Sequence, residues 1–255
     1  IEVAESYAMV DVISNGRLDF GVGKGSESHE YKKFGVDQKE ATQRMYEGVE
    51  VMLQAWSEKP VNFKGEFYNY QNVPVFPKPV QRPHPNFWVG CARSEDSFRW
   101  AGEHGFHLMT LPYLYREPGI LPGFIKSYRN ALTAAGHDSG KTDILGKFHI
   151  YVADSLEAAI REAEPYLINY FDVHKAADLE RQEQGLLTQR DARTQLEHGF
   201  VLAGDPKRVA DTIRKWRDET GLTTISGTFH FGGMPQELAL KNIRLFAEKV
   251  MPEFK

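Results

Sequence analysis

The spacing of apolar residues along the chain predicts helices that alternate with short strands. Helices are indicated where apolar residues recur every three or four positions, and strands where they alternate or form a short continuous run. Helices are predicted over residues 2–13, 39–57, 97–104, 122–135, 156–171, 206–220 and 236–250. Strands are predicted over residues 18–22, 87–91, 107–111, 147–153 and 223–229. This alternation favours five βα units built around a parallel sheet.

Three segments between these elements have a different character. Residues 26–33 are polar and predict a loop, and residues 172–199 are highly charged with weak periodicity, which predicts a mobile or lid-like segment. Five prolines in residues 74–85 exclude a helix, so residues 60–85 are predicted to form an extended connector. Composition does not change abruptly anywhere along the chain, so we expect a single domain over residues 1–255.

The stretch from Gly16 to Gly25 is the first candidate for a binding site. A strand in which apolar residues alternate with small or polar ones ends in two glycines that flank Lys24. Glycine lets a backbone approach a ligand closely, and Lys24 supplies a positive charge. The same pattern also fits an ordinary strand followed by a glycine turn.

Composition excludes several classes of protein. The formal net charge of −4 provides no basic field for nucleic acid. The apolar runs fall short of the roughly 20 residues that span a bilayer. Cys91 is the only cysteine, so an internal disulfide is excluded and a reducing, cytoplasmic compartment is favoured. The chain begins without Met inside a helical pattern, from which we expect that an N-terminal part is missing.

Two architectures are compatible with five βα units. One is a doubly wound parallel sheet. The other is a closed (β/α)8 barrel, which would need three further units.

Several motifs together resemble the bacterial luciferase-like superfamily of flavin-dependent oxidoreductases. They occur in order along nearly the whole chain: Ala4-Glu5, Asp11, Ser14–Arg17, Phe20–Gly25, Glu30-Tyr31, Phe34-Gly35, Glu47, Trp56, Gly65–Tyr68, Pro77–Pro83, Val89–Ser94, Trp100–Gly105, Gly204–Pro206 and Phe246–Pro252. The number of motifs in register makes the resemblance specific to the superfamily, but it does not specify a substrate.

The resemblance implies a (β/α)8 TIM barrel of the luciferase-like type. In that fold the strands of this chain would be strands 4 to 8, and the first three βα units would be missing. Reduced FMN would lie at the C-terminal mouth of the barrel, with its phosphate held by the loop after strand 5 and by a basic residue after strand 4. The cofactor-binding residues are then expected to be Lys24, Gly90, Cys91, Ala92, Arg93, Ser94 and Ser97, and no metal is expected.

Some of these residues also have plain structural interpretations. Ser94 could only cap a helix, and Glu95 and Asp96 would repel a phosphate that they faced. Cys91 could be a small buried apolar residue, and Lys24 a solvated surface lysine.

The chain departs from the family pattern at three positions. Lys24 stands where the luciferase α subunit has arginine, Thr42 stands where an arginine that contacts phosphate is common in the family, and Gly23 replaces a cysteine of the luciferase α subunit. The departures at Lys24 and Thr42 put the binding of an FMN phosphate in doubt. The departure at Gly23 puts the thiol chemistry of luciferase in doubt.

His230 is the expected catalytic residue, because it ends the last strand and histidine titrates near neutral pH. It could instead pack beneath the flavin ring. His29 and Tyr31 are expected to line the pocket. His104 and His107 straddle the end of a helix and a strand, so zinc binding by this pair is not expected.

The function implied by the resemblance is that of a bacterial flavin-dependent monooxygenase. Reduced FMN from a separate flavin reductase and molecular oxygen would act on a small organic substrate, and the protein is expected to form a homodimer. One alternative is a hydride-transfer oxidoreductase that uses the deazaflavin coenzyme F420. Another is a non-catalytic subunit that supports a luciferase-like partner, and the residual case is a sugar- or phosphate-binding barrel without a redox role.

Overall fold

The computed structural model describes residues 1–25, 28–115, 119–173 and 191–254. The chain forms two compact units, which comprise residues 1–90 and 91–255. Most of the predicted lid, residues 174–190, lies outside the described residues. Among the helices that the structure describes, none has the length and apolar character needed to cross a membrane.

The first unit contains three α-helices and four strands within its described residues. These are α1 (Glu2–Ser14), β1 (Asp19–Val22), α2 (Ser28–Phe34), α3 (Ala41–Trp56), β2 (Val61–Lys64), β3 (Asn69–Val73) and β4 (Asn86–Gly90), with a 3-10 turn at Gln38–Glu40. β1 and β4 pair in parallel, with Phe20 opposite Phe87, and β2 and β3 form an antiparallel hairpin.

Aromatic rings form the core of the first unit. Phe20 of β1 meets Trp56 of α3 and Phe87 of β4 edge-on, with ring centroids 5.2 and 5.3 Å apart. The indole nitrogen of Trp56 donates to the carbonyl of Ala4, 2.9 Å away, so this buried polar group is satisfied. These contacts hold α1 and α3 against the β1–β4 pair.

A buried carboxylate in α1 fixes the segment that precedes β4. Asp11 is fully buried, and its carboxylate accepts hydrogen bonds from the backbone N–H groups of Val80 and Gln81 and from the side-chain amide of Gln81, at 2.7–3.0 Å. Burial by itself would raise the pKa of Asp11, but the hydrogen bonds from Gln81 and Val80 outweigh burial and lower the pKa.

A second carboxylate holds the turn of the hairpin. Glu47 of α3 accepts hydrogen bonds from the backbone N–H groups of Glu66, Phe67 and Tyr68 at 2.9–3.3 Å. Burial opposes ionisation of Glu47, but these backbone donors and the Gln43 amide lower its pKa. The carboxylate therefore satisfies donors that a turn would otherwise expose to solvent.

The second unit contains six α-helices and four strands within its described residues. These are α4 (Glu95–Glu103), β5 (His107–Thr110), α5 (Ile120–Ala134), β6 (Ile144–Val152), α6 (Leu156–Val173), α7 (Ala192–Glu197), β7 (Leu202–Gly204), α8 (Pro206–Thr220), β8 (Thr224–Thr228) and α9 (Gln236–Leu245). β6 pairs in parallel with β5, with β7 and with β8. α9 continues as a π-helical turn, Phe246–Val250, and a 3-10 turn, Met251–Phe254.

Local signals explain where the helices of this unit begin and end. Asp205 precedes α8 and accepts the backbone N–H of Arg208 at 3.0 Å, Pro206 occupies the first turn, and Gly221 ends the helix with φ of 71°. The carbonyl of Phe106 accepts the hydroxyl of the buried Tyr128 of α5 at 2.7 Å. This bond ties α5 to the start of β5.

Most of the predicted elements are confirmed. The structure has a helix or strand at every position where the apolar spacing predicts one, with ends that differ by at most a few residues. The α/β class with mostly parallel strands is therefore established. The closed barrel, the single domain over residues 1–255 and the three missing βα units stay predictions.

Four details of the sequence interpretation are wrong. Residues 28–34 form α2 rather than a loop, the predicted connector contains the β2–β3 hairpin, and α7 and β7 were not predicted. The spacing of Val3, Tyr7 and Val10 predicts the helix over residues 2–13, but these side chains are 41–49% exposed, and the buried positions of α1 are Ala4, Ala8 and Asp11.

Candidate cofactor site

The candidate site begins where β4 ends. Gly90 is the last residue of the first unit, and Cys91–Ser94 lead into α4 in the second unit. Ser94 occupies the N-cap position with extended backbone, φ of −115°, but its hydroxyl makes no capping hydrogen bond to the helix. The first N–H groups of a helix have no partners within the helix and favour an anion. The Ser97 N–H of this turn already donates to the Ser94 carbonyl at 3.0 Å, so the turn offers the N–H groups of Glu95 and Asp96, which no side chain of the described residues caps, beside the Ser94 hydroxyl.

The two acidic residues of this turn interact with neighbouring side chains. The Glu95 carboxylate accepts the hydroxyl of Ser127 in α5, and Asp96 pairs with Arg99 one turn along α4 at 2.9 Å. Ser127 draws the Glu95 carboxylate toward α5, and Arg99 draws the Asp96 carboxylate along α4. The repulsion expected from Glu95 and Asp96 is thereby reduced.

Arg93 lies half-buried in the same loop, within electrostatic range of Tyr115. The Tyr115 hydroxyl lies 3.4 Å from the hydroxyl of Thr110 at the end of β5. Burial raises the pKa of Tyr115, and the Thr110 hydrogen bond and the positive charge of Arg93 oppose that rise only partly. Tyr115 is therefore a neutral hydroxyl group near the guanidinium group.

Cys91 and Ser97 face the interior of the second unit. Cys91 is 1% exposed, its thiol donates to the carbonyl of Ser97 at 3.3 Å, and its backbone N–H donates to the carbonyl of Met109 at 2.8 Å. Ser97 is itself buried, whereas Ala92 is half-buried and Gly90 is exposed. The geometry favours a packing role for Cys91, and its predicted contact with a cofactor stays a prediction.

Lys24 lies in the first unit and contacts Thr42. The Lys24 ammonium donates to the Thr42 hydroxyl at 3.2 Å, and the Lys24 carbonyl accepts the hydroxyl of Tyr31. The two departures from the family pattern thus form one contact at the start of α3. Arg44, two positions further on, pairs with Glu40 at 2.8 Å and stacks on Phe67, so it is engaged elsewhere.

The third departure, Gly23, lies in open space. A Cβ added to this glycine would have no atom of the described residues within 4 Å, apart from its own chain neighbours. The position could therefore accept a side chain, so close packing does not explain why glycine stands there.

His230 follows β8 and is exposed. Its Nε2 lies 2.7 Å from the carbonyl oxygen of Met234. Because a carbonyl can only accept, Nε2 carries the proton, and Nδ1 is the basic nitrogen of the neutral ring. The loop geometry therefore provides an oriented imidazole with a nitrogen that can accept a proton.

Sequence reasoning missed a buried imidazole near this loop. His149 of β6 is 2% exposed and packs edge-on against Tyr113, Tyr170 and Phe231, with centroid distances of 4.6–5.1 Å. The predicted strand over 147–153 already contained His149. The enclosing rings come from three distant segments, so no local signal indicated this environment.

The structure groups the predicted residues only in part. Cys91–Ser94 and Ser97 lie on one loop and helix turn, and His230 lies on a separate loop of the same unit. His29 and Tyr31 lie on α2 rather than on a loop. Within the described ranges, no group of three or more His, Cys, Asp or Glu residues is arranged to hold a metal ion.

Comparisons with known proteins identify relatives along the chain. The model of the family described as luciferase-like monooxygenase matches residues 1–224. The oxygenase component of flavin-dependent trigonelline monooxygenase from Acinetobacter baylyi is 31% identical over 67% of this chain and 48% of its own length. This match thus spans about half of that relative. The uncharacterised protein y4wF from Sinorhizobium fredii is 36% identical over 97% of this chain and 71% of its own length.

Solved structures show the same fold. Monooxygenase RslO1 from Streptomyces bottropensis matches with a TM-score of 0.81 and 29% identity, covering 100% of this chain and 74% of that one. An F420-dependent secondary alcohol dehydrogenase bound to an F420-acetone adduct matches with a TM-score of 0.76 and 19% identity, covering 99% and 74%. The second likeness shows the fold alone.

Proposed function

Because the chain belongs to the luciferase-like monooxygenase family, we propose that it is a flavin-dependent monooxygenase that uses reduced FMN and molecular oxygen on a small organic substrate. One observation carries this proposal. Two of the relatives described above exceed 25% identity and have names that state an activity. Both of them, the trigonelline enzyme and RslO1, are monooxygenases. The F420-dependent neighbour is only 19% identical.

The residues of the α4 turn fit an FMN phosphate. The Ser94 hydroxyl and the first N–H groups of α4 would bind the phosphate, and Arg93 would add positive charge. Lys24, which donates to Thr42 in the first unit, is proposed as a phosphate ligand from the family resemblance, and its ammonium can neutralise an anion only as a point charge. When bound, the reduced flavin supplies the two electrons that reduce dioxygen. The chain's own contributions are to bind and orient the cofactor and, at Nδ1 of His230, to accept a proton.

The name of the trigonelline relative, an oxygenase component, supports a separate flavin reductase as a partner. A homodimer is proposed because α1 exposes apolar side chains, including Ile13, which is 77% exposed. The single cysteine, Cys91, supports a reducing cytoplasmic location.

The test of the phosphate site is an anaerobic titration of the purified protein with reduced FMN. We expect saturable binding in the micromolar range, weakened about 10- to 100-fold by Ser94→Ala because one hydrogen bond to a charged phosphate is lost. Reduced riboflavin lacks the phosphate, so its affinity should not change in this variant. Thr133→Ala is the matched control, because this exposed hydroxyl donates within α5 to the Arg129 carbonyl at 3.0 Å.

A hydride-transfer enzyme is the second candidate, favoured by the Lys24–Thr42 contact where the family commonly has arginines. Reduced F420 is therefore titrated in parallel, and oxygen consumption is measured with a flavin reductase present. Tight F420 binding without FMN binding or oxygen consumption would refute the monooxygenase proposal. If neither cofactor binds, both enzyme proposals fail, and the remaining interpretations are a non-catalytic partner subunit and a sugar- or phosphate-binding barrel without a redox role.

A further inference from the structure

The loop after β8 is held in place by several specific contacts. The carbonyl of Gly232 accepts the side-chain amide of Asn169 in α6 at 2.8 Å, and the N–H of Met234 donates to the carbonyl of Phe231 at 3.1 Å. Gly232 has a positive φ of 58°, and a side chain there would collide with the carbonyl of Tyr166. The loop backbone therefore lies directly against α6, and only glycine fits at this point.

His149 supports the same loop from beneath. Phe148 packs on Trp216 of α8 at 5.7 Å, so the next residue, His149, lies on the opposite face of β6. Its register partner is Thr228, the last residue of β8. The imidazole thus lies under the carboxyl end of β8, where its ring meets Phe231 at 5.1 Å and 86°.

The rings around His149 come from three separate segments. Tyr113 belongs to the turn after β5, Tyr170 to the last part of α6, and Phe231 to the loop after β8. Phe231 is 4% exposed and immediately follows the exposed His230. A change in the packing of Phe231 would therefore move the backbone that sets the direction of the His230 ring.

We propose that His149 is a positioning residue that acts through Phe231 to hold His230 in its Nε2-protonated orientation. This inference rests on the proposed function, in which Nδ1 of His230 accepts a proton. His149 is buried by the three rings, so its role is to fix the loop rather than to contact the substrate. A displacement of about 1 Å in a reacting group can lower a rate about 100-fold, so the effect should be measurable in kcat.

The experiment reads the ring tautomers by long-range ¹H–¹⁵N correlation in protein labelled at its nine histidines. The His230→Gln spectrum identifies the His230 signal. In the wild-type protein we expect the Nε2-H pattern at His230. His149→Ala should convert this pattern to a mixture of tautomers and lower kcat about 10- to 100-fold, with KM changed less than about threefold. His149→Phe, which keeps an aromatic ring, should restore the wild-type pattern.

Two further variants keep the test decisive if His149→Ala does not fold. Phe231→Leu removes the ring contact but retains an apolar side chain, and Asn169→Ala removes only the bond to Gly232. Both should disturb the His230 tautomer. Ile168→Ala, at a half-exposed neighbour of Asn169, is the control and should leave the tautomer unchanged.

The outcomes separate this inference from the proposed function. An unchanged His230 tautomer in His149→Ala or Phe231→Leu would overturn the positioning role, whatever the activity. A disturbed His230 tautomer in His149→Ala, together with full activity of both His149→Ala and His230→Gln, would support the positioning role and refute the proposed part of His230 in the reaction.

Discussion

Replacement of Asp11 by alanine tests whether a buried carboxylate anchors the first unit. The change removes the acceptor of the backbone N–H groups of Val80 and Gln81 and of the side-chain amide of Gln81. The Gln81 amide keeps its second hydrogen bond, to the Leu18 carbonyl at 2.7 Å. Each donor left without a partner in this partly buried site costs about 1–3 kcal/mol. We therefore expect Asp11→Ala to lower the free energy of unfolding by about 3–5 kcal/mol.

The measurement is urea unfolding followed by tryptophan fluorescence and far-UV circular dichroism. An m value of about 2–3 kcal/mol/M converts the expected loss into a fall in the midpoint of about 1–2 M. Asp19→Ala is the control, because Asp19 is an exposed carboxylate whose one hydrogen bond to the described residues comes from the Asn86 amide at 3.0 Å. We expect the control to lose less than about 1 kcal/mol.

The pH dependence has a definite sign. The pKa of Asp11 is lower in the folded protein than in the unfolded chain, so its ionisation stabilises the fold above the unfolded value of about 4. This contribution is lost as pH falls through the lower folded-state pKa. The difference between wild type and Asp11→Ala should be constant from about pH 6 to 8 and shrink below about pH 4. Equal midpoints for Asp11→Ala and Asp19→Ala at about pH 7 would refute the reasoning.

Two other changes have expected effects on stability. Glu47→Gln should speed proteolysis within the β2–β3 hairpin, because an amide replaces the carboxylate that accepts the Phe67 N–H, and an unchanged cleavage rate would contradict this. Gly102→Ala should cost about 1–3 kcal/mol in urea unfolding, because its Cβ would lie 2.9 Å from the Ala131 Cβ where α4 packs on α5. A Cβ added at Gly123 in α5 meets no described atom within 4 Å, so Gly123→Ala should raise the free energy of unfolding by about 0.5–1 kcal/mol. A change of the same sign for both glycine variants would contradict the packing argument.

The sequence predicted elements well where apolar periodicity was long. The strand that became β6 and the helix that became α8 each carry a clear pattern, and α8 also has an aspartate and a proline at its start. α2 was missed because seven residues, most of them polar, present no apolar stripe. β7 was missed because three residues are too short to show alternation.

The buried face of α1 shows a different limit of prediction from apolar spacing. Small residues, Ala4 and Ala8, occupy the buried face because the helix packs closely on α3, where the Trp56 indole reaches the Ala4 carbonyl. Larger residues such as Val3 and Val10 remain exposed. A pattern based on apolar size could therefore not identify which side of α1 faces the core.

The sequence indicated the segment that forms the candidate site, whose residues stay predictions, but it did not indicate the contacts of that segment. The motif Val89–Ser94 indicated the loop before α4. The engagement of Glu95 by Ser127 depends on the packing of α4 against α5, 32 positions apart in the chain. The Lys24–Thr42 bond likewise joins a loop to a helix 18 positions away. Such contacts arise from tertiary structure, which residue spacing does not encode.

Three of the motifs that carry the family resemblance contain an anchoring carboxylate. Asp11 binds the backbone of the Pro77–Pro83 motif, Glu47 binds the backbone of the Gly65–Tyr68 motif, and Asp205 caps α8. Each of these carboxylates satisfies backbone donors at one geometry, so each stabilises the fold whatever ligand is bound. A match built on such residues therefore identifies the family firmly. The departures from the family pattern lie outside these anchors, because Gly23 and Lys24 follow β1 and Thr42 lies in the first turn of α3.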